Sequence, residues 1–164
     1  MRRFAAVFPL LAFIAMTPLA VHGQSYDDLA GGWVVSSWTS PEGVMNDSPQ
    51  RGVFLFTAQG QYSMMYVNAD EARPDLAEDP SDADVLEAYS TFTANTGRYR
   101  INGGELAIEA YVAKSPNYMG GWDPENGGNL QTLQMNMADG MLTLEWANGR
   151  KATLRRAMDV ADEG

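Results

Sequence analysis

The chain has 164 residues, with 11 basic and 21 acidic side chains and a formal net charge of −10 at pH 7. An anionic chain of this kind is a poor partner for nucleic acids or anionic lipid surfaces, which carry charge of the same sign. With no cysteine and a single histidine, His22, the sequence excludes a disulfide and predicts no metal site or cofactor of the usual zinc, copper or haem type.

The first segment has the pattern of a secretory signal peptide. Two arginines precede an apolar run over 4–20, and small or modest side chains precede Gln24. A membrane anchor is the alternative, but the run is shorter than the roughly 20 residues of a spanning helix, and two prolines interrupt it. We therefore expect cleavage of 1–23 with no stable membrane insertion, and a periplasmic or secreted domain over 24–164 whose core covers about 29–157.

Eight short segments rich in aromatic, aliphatic and β-branched residues predict β-strands after this leader. Several alternate with period two, as Leu106, Ile108 and Ala110 do. Eight strands at this spacing favour a closed antiparallel barrel or a sandwich. The predicted strands cover 32–39, 52–57, 61–67, 97–101, 105–113, 129–137, 141–146 and 150–157.

The connections between these strands favour the barrel. Short and long links alternate until the last link, 147–149, which is also short. In an up-and-down meander, alternate links lie at opposite ends, so the short turns share a closed floor and the long loops share a mouth. This arrangement is typical of a barrel that holds a ligand. The short turns are 58–60, 102–104 and 138–140, and the long links are 40–51, 68–96 and 114–128.

One helix is predicted over 82–94, within the second long link. Ser81 with Asp84 forms a capping pattern, and an apolar face at helical spacing follows it. At the mouth, such a helix is either a lid over a cavity or a plug that closes the end of the barrel. The residues expected to face inward as the lid are Val85, Tyr89 and Phe92.

Four stretches, taken in order, resemble the small bacterial lipocalin-like domain family over most of 29–157. In that family a Gly-Arg-Tyr strand and a Pro-Asn-aromatic-x-Gly loop recur. The matching stretches are Gly31-Gly32-Trp33, Gly52-Val53-Phe54-Leu55-Phe56-Thr57-Ala58-Gln59-Gly60, Thr96-Gly97-Arg98-Tyr99-Arg100-Ile101-Asn102-Gly103 and Ser115-Pro116-Asn117-Tyr118-Met119-Gly120. The resemblance implies an all-β, eight-stranded, antiparallel up-and-down barrel with a central cavity and one short helix at the open end.

The resemblance also implies a floor built from Trp33 and Arg156. In lipocalin-type barrels, a tryptophan from the first strand is covered by an arginine from the last strand, which is a cation–π contact. One departure concerns 105–113, where family members often carry histidines and this chain has Ile108 and Glu109. Histidine-dependent chemistry of relatives therefore does not transfer to this chain.

The period-two parity set by Trp33, together with the family pattern, predicts the side chains that line the cavity. A solidly packed interior is the alternative, because side chains alone can fill an eight-stranded barrel. The predicted ligand-binding residues are Phe54, Phe56, Met64, Tyr66, Tyr99, Ile108, Leu133 and Met135.

An acidic stretch over 70–87 could bind calcium, but it lacks the glycine and the oxygen spacing of an EF-hand. A solvated charged loop is the usual explanation.

The preferred function is binding of a small, mostly apolar molecule inside the barrel. Acids at the mouth favour a neutral ligand over a carboxylate. Two alternatives stay open. One is an isomerase, cyclase or hydratase that uses Tyr66 or Tyr99 for proton transfer, although no catalytic residue is assigned. The other is a module that binds a protein partner through its acidic rim.

Overall fold

The computed structural model describes residues 24–47, 49, 51–68, 73, 75–119 and 130–157. The predicted signal peptide lies outside the described residues, as do the first acids of the acidic stretch, Asp70 and Glu71. The α-helices within these ranges are α1 (Tyr26–Leu29) and α2 (Asp82–Ser90). The strands are β1 (Gly31–Thr39), β2 (Met45–Asn46), β3 (Gly52–Phe56), β4 (Gln61–Val67), β5 (Phe92–Asn102), β6 (Glu105–Ala113), β7 (Gln131–Ala138), β8 (Met141–Glu145) and β9 (Lys151–Arg156).

The strands form a closed, antiparallel, up-and-down barrel, which confirms the predicted fold. Each strand from β3 to β9 pairs with its neighbour in the chain, β1 pairs with β3, and β1 also pairs with β9. The closing ladder joins Trp33 to Arg156 at one end and Thr39 to Lys151 at the other. The two-residue β2 pairs with the far end of β1 and lies outside the eight-stranded ring.

The strand directions define a floor and a mouth. β1 starts at the floor and runs to the mouth, and tight turns return the chain at the floor after β3, β5 and β7. The turn after β7 is a two-residue hairpin in which Asp139 and Gly140 both have positive φ, 53° and 75°. A type I′ turn requires this backbone, and an Asp-Gly pair is one of the sequences that favour it. At the mouth, the link between β4 and β5 contains α2, and the link between β8 and β9 is the last tight turn, 147–149.

Helix α2 is shorter than predicted, because it ends at Ser90 and the chain then enters β5. Ser81 and Asp84 form the predicted capping box, in which each side chain accepts the other residue's backbone N–H. Phe92, assigned to the helix by its spacing, pairs with Val67 in the β4–β5 ladder. The segment after Ser90 is rich in Thr and Phe, which favour a strand, and the pairing with β4 extends β5 to 92.

A β-bulge in β1 changes which face of the strand turns inward. Val35 pairs with Leu154 and Ser37 pairs with Thr153, so Ser36 is an additional residue between them. The Ser36 hydroxyl donates a hydrogen bond to the Thr153 carbonyl oxygen at 2.9 Å. Because the bulge shifts the period-two pattern by one residue, Trp33 and Trp38 are both buried although five positions separate them.

No helix in the described ranges is long and apolar enough to cross a membrane.

Candidate functional site

The predicted cavity residues form the packed interior of the barrel. Seven of the eight are at most 5% exposed, and Tyr66 packs against them at the mouth end. The seven are Phe54, Phe56, Met64, Tyr99, Ile108, Leu133 and Met135, and they share one hydrophobic cluster with Trp33 and the leucines of β6 to β9. The structure brings these side chains together, and their contact with a ligand stays a prediction.

Tyr99 belongs to the floor of this interior. Its hydroxyl donates a hydrogen bond to the Thr57 carbonyl oxygen at 2.6 Å, and its ring stacks on Tyr26 with centroids 5.2 Å apart. Burial raises the pKa of Tyr99 to about 12, with smaller contributions from Tyr26 and Asp27. A phenol held in this way is protonated at neutral pH and stabilises the floor.

The floor also contains the contact predicted between Trp33 and Arg156. The guanidinium carbon of Arg156 lies 4.2 Å from the centroid of the Trp33 ring. The same guanidinium donates to the carbonyl oxygens of Asp28 and Ala30, and the Trp33 indole donates to the Leu29 carbonyl oxygen at 2.8 Å. Helix α1 thus supplies backbone acceptors that hold both side chains.

Two buried polar atoms face a very small cavity in the barrel wall. The cavity encloses about 10 Å³ and is lined by Tyr62, Asn95 and four other residues of β6, β7 and their link. Within the described ranges, the Tyr62 hydroxyl and the Asn95 carbonyl oxygen have no hydrogen-bond partner. Burial raises the pKa of Tyr62, and the Glu109 charge adds to the rise. The space suits about one water molecule and is too small for an organic ligand.

A larger pocket opens at the mouth, above the packed interior. It encloses about 300 Å³, at the lower end of the range for small-molecule sites. Its lining combines an indole, a guanidinium, aliphatic side chains and amides. The lining residues among those described are Trp38, Ser40, Pro41, Val44, Asn46, Val67, Asn68 and Arg150.

The base of this pocket is a layer of aromatic rings. The Trp38 ring centroid lies 5.0 Å from that of Tyr66 and 5.6 Å from that of Trp146. Tyr66 in turn stacks on Phe54 of the interior, with centroids 5.8 Å apart and planes within 9°. Burial raises the pKa of Tyr66, opposed by a hydrogen bond with Thr93 and by the charge of Arg150. Of the predicted ligand-binding residues, Tyr66 is the one whose ring belongs to this aromatic layer.

Arg150 lies on top of the aromatic layer. Its guanidinium carbon is 4.1 Å from the Trp38 ring centroid and 5.9 Å from that of Tyr66. One guanidinium nitrogen donates to the Asn68 side-chain oxygen at 2.5 Å. In the part of the chain that the structure describes, no carboxylate forms an ion pair with Arg150. Among the described residues, ring faces and one amide contact the guanidinium, and they accept from only one of its five N–H donors.

The mouth residues Trp38 and Arg150 were not identified from the sequence. Strict alternation from Trp33 places Trp38 on the outer face, and only the bulge at Ser36 turns it inward. Arg150 follows the turn 147–149, next to a predicted strand, where a surface arginine is the ordinary expectation. The one available signal was the second tryptophan of β1, a residue rarely left exposed.

The predicted lid residues do not close over the interior. Val85 and Tyr89 are 47% and 51% exposed, and Phe92 lies in β5. Tyr89 instead binds the β6 end, where its hydroxyl donates to the Lys114 carbonyl oxygen at 2.8 Å and its ring lies 4.1 Å from the Lys114 ammonium. The inward orientation expected of Val85 and Tyr89 is therefore not observed, because Ala88 is the helix residue that is buried.

The described part of the acidic stretch is exposed, including Asp82, Asp84 and Glu87 of α2. Among the described residues, no three carboxylates or histidines come together as a metal site would require.

No protein-family model and no curated protein matches the sequence. Among solved structures, the chain is similar to a lipocalin-like protein from Bacteroides uniformis, with a TM-score of 0.47 and 18% identity, over 79% of this chain and 99% of that chain. An uncharacterized protein from Bacteroides eggerthii gives a TM-score of 0.47 at 14% identity, over 79% of this chain and 100% of that one. A protein from Burkholderia xenovorans, studied by NMR, gives a TM-score of 0.42 at 14% identity, over 94% and 100%.

Proposed function

We propose that the protein binds a small, mostly apolar molecule in the pocket at the mouth of its barrel. The observation that carries the proposal is the pocket of about 300 Å³ above the ring of Trp38. Aromatic side chains supply large contact areas at low cost in conformational entropy, and they are common in ligand sites. The packed interior below gives the pocket a rigid base.

The size of the pocket limits the ligand. A cavity of 150 Å³ lined by apolar side chains accommodates benzene, so a space about twice as large suits a molecule of roughly 10 to 15 heavy atoms. The lining contains the aliphatic side chains of Pro41, Val44 and Val67 and the amides of Asn46 and Asn68. The pocket therefore fits a compact, amphipathic molecule better than a long acyl chain.

Binding is better supported than proton transfer at this site. A general acid or base needs a pKa near the working pH. Tyr66 is a phenol at the base of the pocket, and burial raises its pKa further from neutrality. The described lining residues offer contact surface and hydrogen-bond donors, which are the properties of a binding site.

A neutral, environment-sensitive dye tests the proposal. Val44 is 69% exposed on the rim of the pocket, so Val44→Trp places a large ring there without disturbing the core. The matched control is Leu55→Trp, at a 44% exposed position in β3. We expect the wild type and L55W to enhance dye fluorescence with the same affinity, and V44W to bind more weakly. No binding by the wild type, or equal binding by both variants, would contradict the proposal.

We propose further that the protein acts outside the cytoplasm. Support comes from the sequence of 1–23, with its two arginines, apolar run and small residues before Gln24. Intact mass of protein isolated from its own host should match a chain that starts at Gln24. A full-length chain in that preparation would contradict export with cleavage.

A further inference from the structure

The barrel contains the same pair of residues twice, once at each end. Trp33 and Trp38 both come from β1, Arg156 is the last residue of β9, and Arg150 directly precedes β9. The guanidinium carbon lies 4.2 Å from the ring centroid in the floor pair and 4.1 Å in the mouth pair. The two contacts are therefore alike in distance and differ in their surroundings.

The donors of the floor pair are satisfied by the chain itself. The Trp33 indole donates to Leu29, and Arg156 donates to Asp28 and Ala30, in each case to a backbone carbonyl oxygen. Strand and helix thus close the floor, and Trp33 is fully buried. This pair is a structural plug with an acceptor for the indole and for the guanidinium.

The mouth pair has donors for which the described residues supply no acceptor. Trp38 is 92% buried, given its exposure of 8%, yet its indole N–H has no acceptor in the described structure. Arg150 donates to Asn68, and no carboxylate of the described residues pairs with it. A buried donor without an acceptor costs about 1–3 kcal/mol. The indole N–H is itself buried, so the guanidinium of Arg150, which lines the pocket, is the donor that an entering acceptor meets first.

We infer that the ligand of the mouth pocket carries an anionic acceptor group, such as a carboxylate, which Arg150 binds above the ring of Trp38. The ligand class is then a compact apolar or aromatic acid, with its hydrocarbon part against Pro41, Val44 and Val67. Arginine suits this role because its planar guanidinium presents paired N–H donors that match the two oxygens of a carboxylate. The inference rests on the proposed function and adds the chemical class of the ligand.

This class differs from the neutral ligand expected from the sequence. That expectation assumed that acids line the mouth, and the described lining contains none, whereas it contains Arg150. The net charge of −10 opposes the approach of an anion, but ions screen exposed charges beyond about 8 Å at physiological ionic strength. Direct contact with one guanidinium therefore dominates once the ligand is in the pocket.

Calorimetric titration with naphthalene-2-carboxylate and naphthalene-2-carboxamide tests the inference, because the two probes share one shape and differ in charge. The wild type should bind the carboxylate roughly tenfold to a hundredfold more tightly than the amide. Arg150→Gln should abolish that preference, so that the ratio of the two dissociation constants falls to about one. Arg150→Lys should keep part of the preference, since the charge remains and the planar fork is lost.

The matched control is Arg155→Gln, which makes the same change at an exposed position of β9. It should keep the full preference for the carboxylate. Equal binding of both probes by the wild type, or an unchanged preference in R150Q, would overturn the inference while the binding function stands. No binding of either probe would also overturn it, and failure of the neutral dye as well would remove the proposed function with it.

Discussion

The two tryptophans of β1 show how the neighbours of a side chain decide its role. Trp33 is held by an indole hydrogen bond to Leu29 and by the guanidinium of Arg156. Trp38 has a similar guanidinium above it and no acceptor for its N–H among the described residues. The first therefore stabilises the fold, and the second lies at the base of the pocket in which we propose that a ligand binds.

The floor contact predicts coupled losses of stability. Trp33→Ala removes a fully buried ring and should lower the free energy of unfolding by about 3–5 kcal/mol. Arg156→Ala should cost less, roughly 0.5–2 kcal/mol, which is the range for a cation–π contact. Because the two side chains touch, the double variant should lose less than the two single losses added together.

Chemical denaturation of the four proteins in this double-mutant cycle measures the coupling. Simple additivity would show that the stack of Arg156 on Trp33 contributes nothing to stability.

At the level of single residues, the sequence predicted those side chains that follow an unbroken alternation. Phe54 and Met64 face inward as predicted, because β3 and β4 pair without a register shift. The sequence did not predict that Trp38 faces inward, because the bulge at Ser36 reverses the alternation. Nothing in the pair Ser36-Ser37 indicates a bulge. The surroundings of the Trp38 indole and of Arg150 depend on loop positions, which alternation does not determine.

At the level of elements, a bulge between β5 and β6 explains why position 97 is a glycine. Thr96 pairs with Val112 and Gly97 pairs with Ala110, so Tyr111 is an additional residue in β6. The bulge brings the β6 backbone close to β5. A methyl group at Gly97 would lie 1.9 Å from the Glu109 carbonyl oxygen and 2.9 Å from the Cα of Ala110. Glycine is required there by space, since the approaching atoms are backbone.

Gly97→Ala should therefore destabilise the barrel by at least about 1–3 kcal/mol, the usual cost of overpacking, because the backbone must move. Gly104→Ala is the control, since the nearest atom to a methyl group there is the Met135 carbonyl oxygen at 3.6 Å. Thermal unfolding followed by circular dichroism compares the two. Equal melting temperatures for G97A and the wild type would contradict the tight approach at the bulge.

Most strands could be predicted from the sequence, because the turn residues and the period-two alternation indicate the same strand boundaries. The predicted and observed bounds coincide for β4 and β6. The predicted end of α2 was wrong, because Phe92 continues the helical spacing but belongs to β5. Its strand partner, Val67, lies far away in the sequence. Long-range pairing of this kind outweighs local propensity and cannot be detected from a single window.

At the level of the whole molecule, side chains fill the interior of the barrel, so the candidate site is the pocket at the mouth. Eight small-barrel strands enclose a space that side chains can fill, and Phe54, Leu133 and Leu144 have no exposed surface. The alternative of a solid interior, which the sequence left open, thus describes the part of the barrel around these residues. The mouth keeps its pocket because longer links build a rim above the aromatic layer.

Met64→Trp tests whether the interior is filled. Met64 is 1% exposed, so the larger ring has to displace its neighbours and should cost about 1–3 kcal/mol of stability. Met65→Trp, on the outer face at 43% exposure, serves as the control and should change little. Urea denaturation reports both values. Unchanged stability of M64W would indicate an empty space beside Met64.

The most direct test of ligand binding at the mouth is the NMR signal of each indole N–H during titration with naphthalene-2-carboxylate. Trp38 lines the pocket and Trp33 lies in the floor, so their signals distinguish the two ends of the barrel. We predict a progressive shift of the Trp38 indole signal with added probe, and no shift of the Trp33 signal. If the probe binds while the Trp38 signal stays unchanged, or if the shifts are confined to the interior methyl groups of Met64 and Met135, the site at the mouth is contradicted.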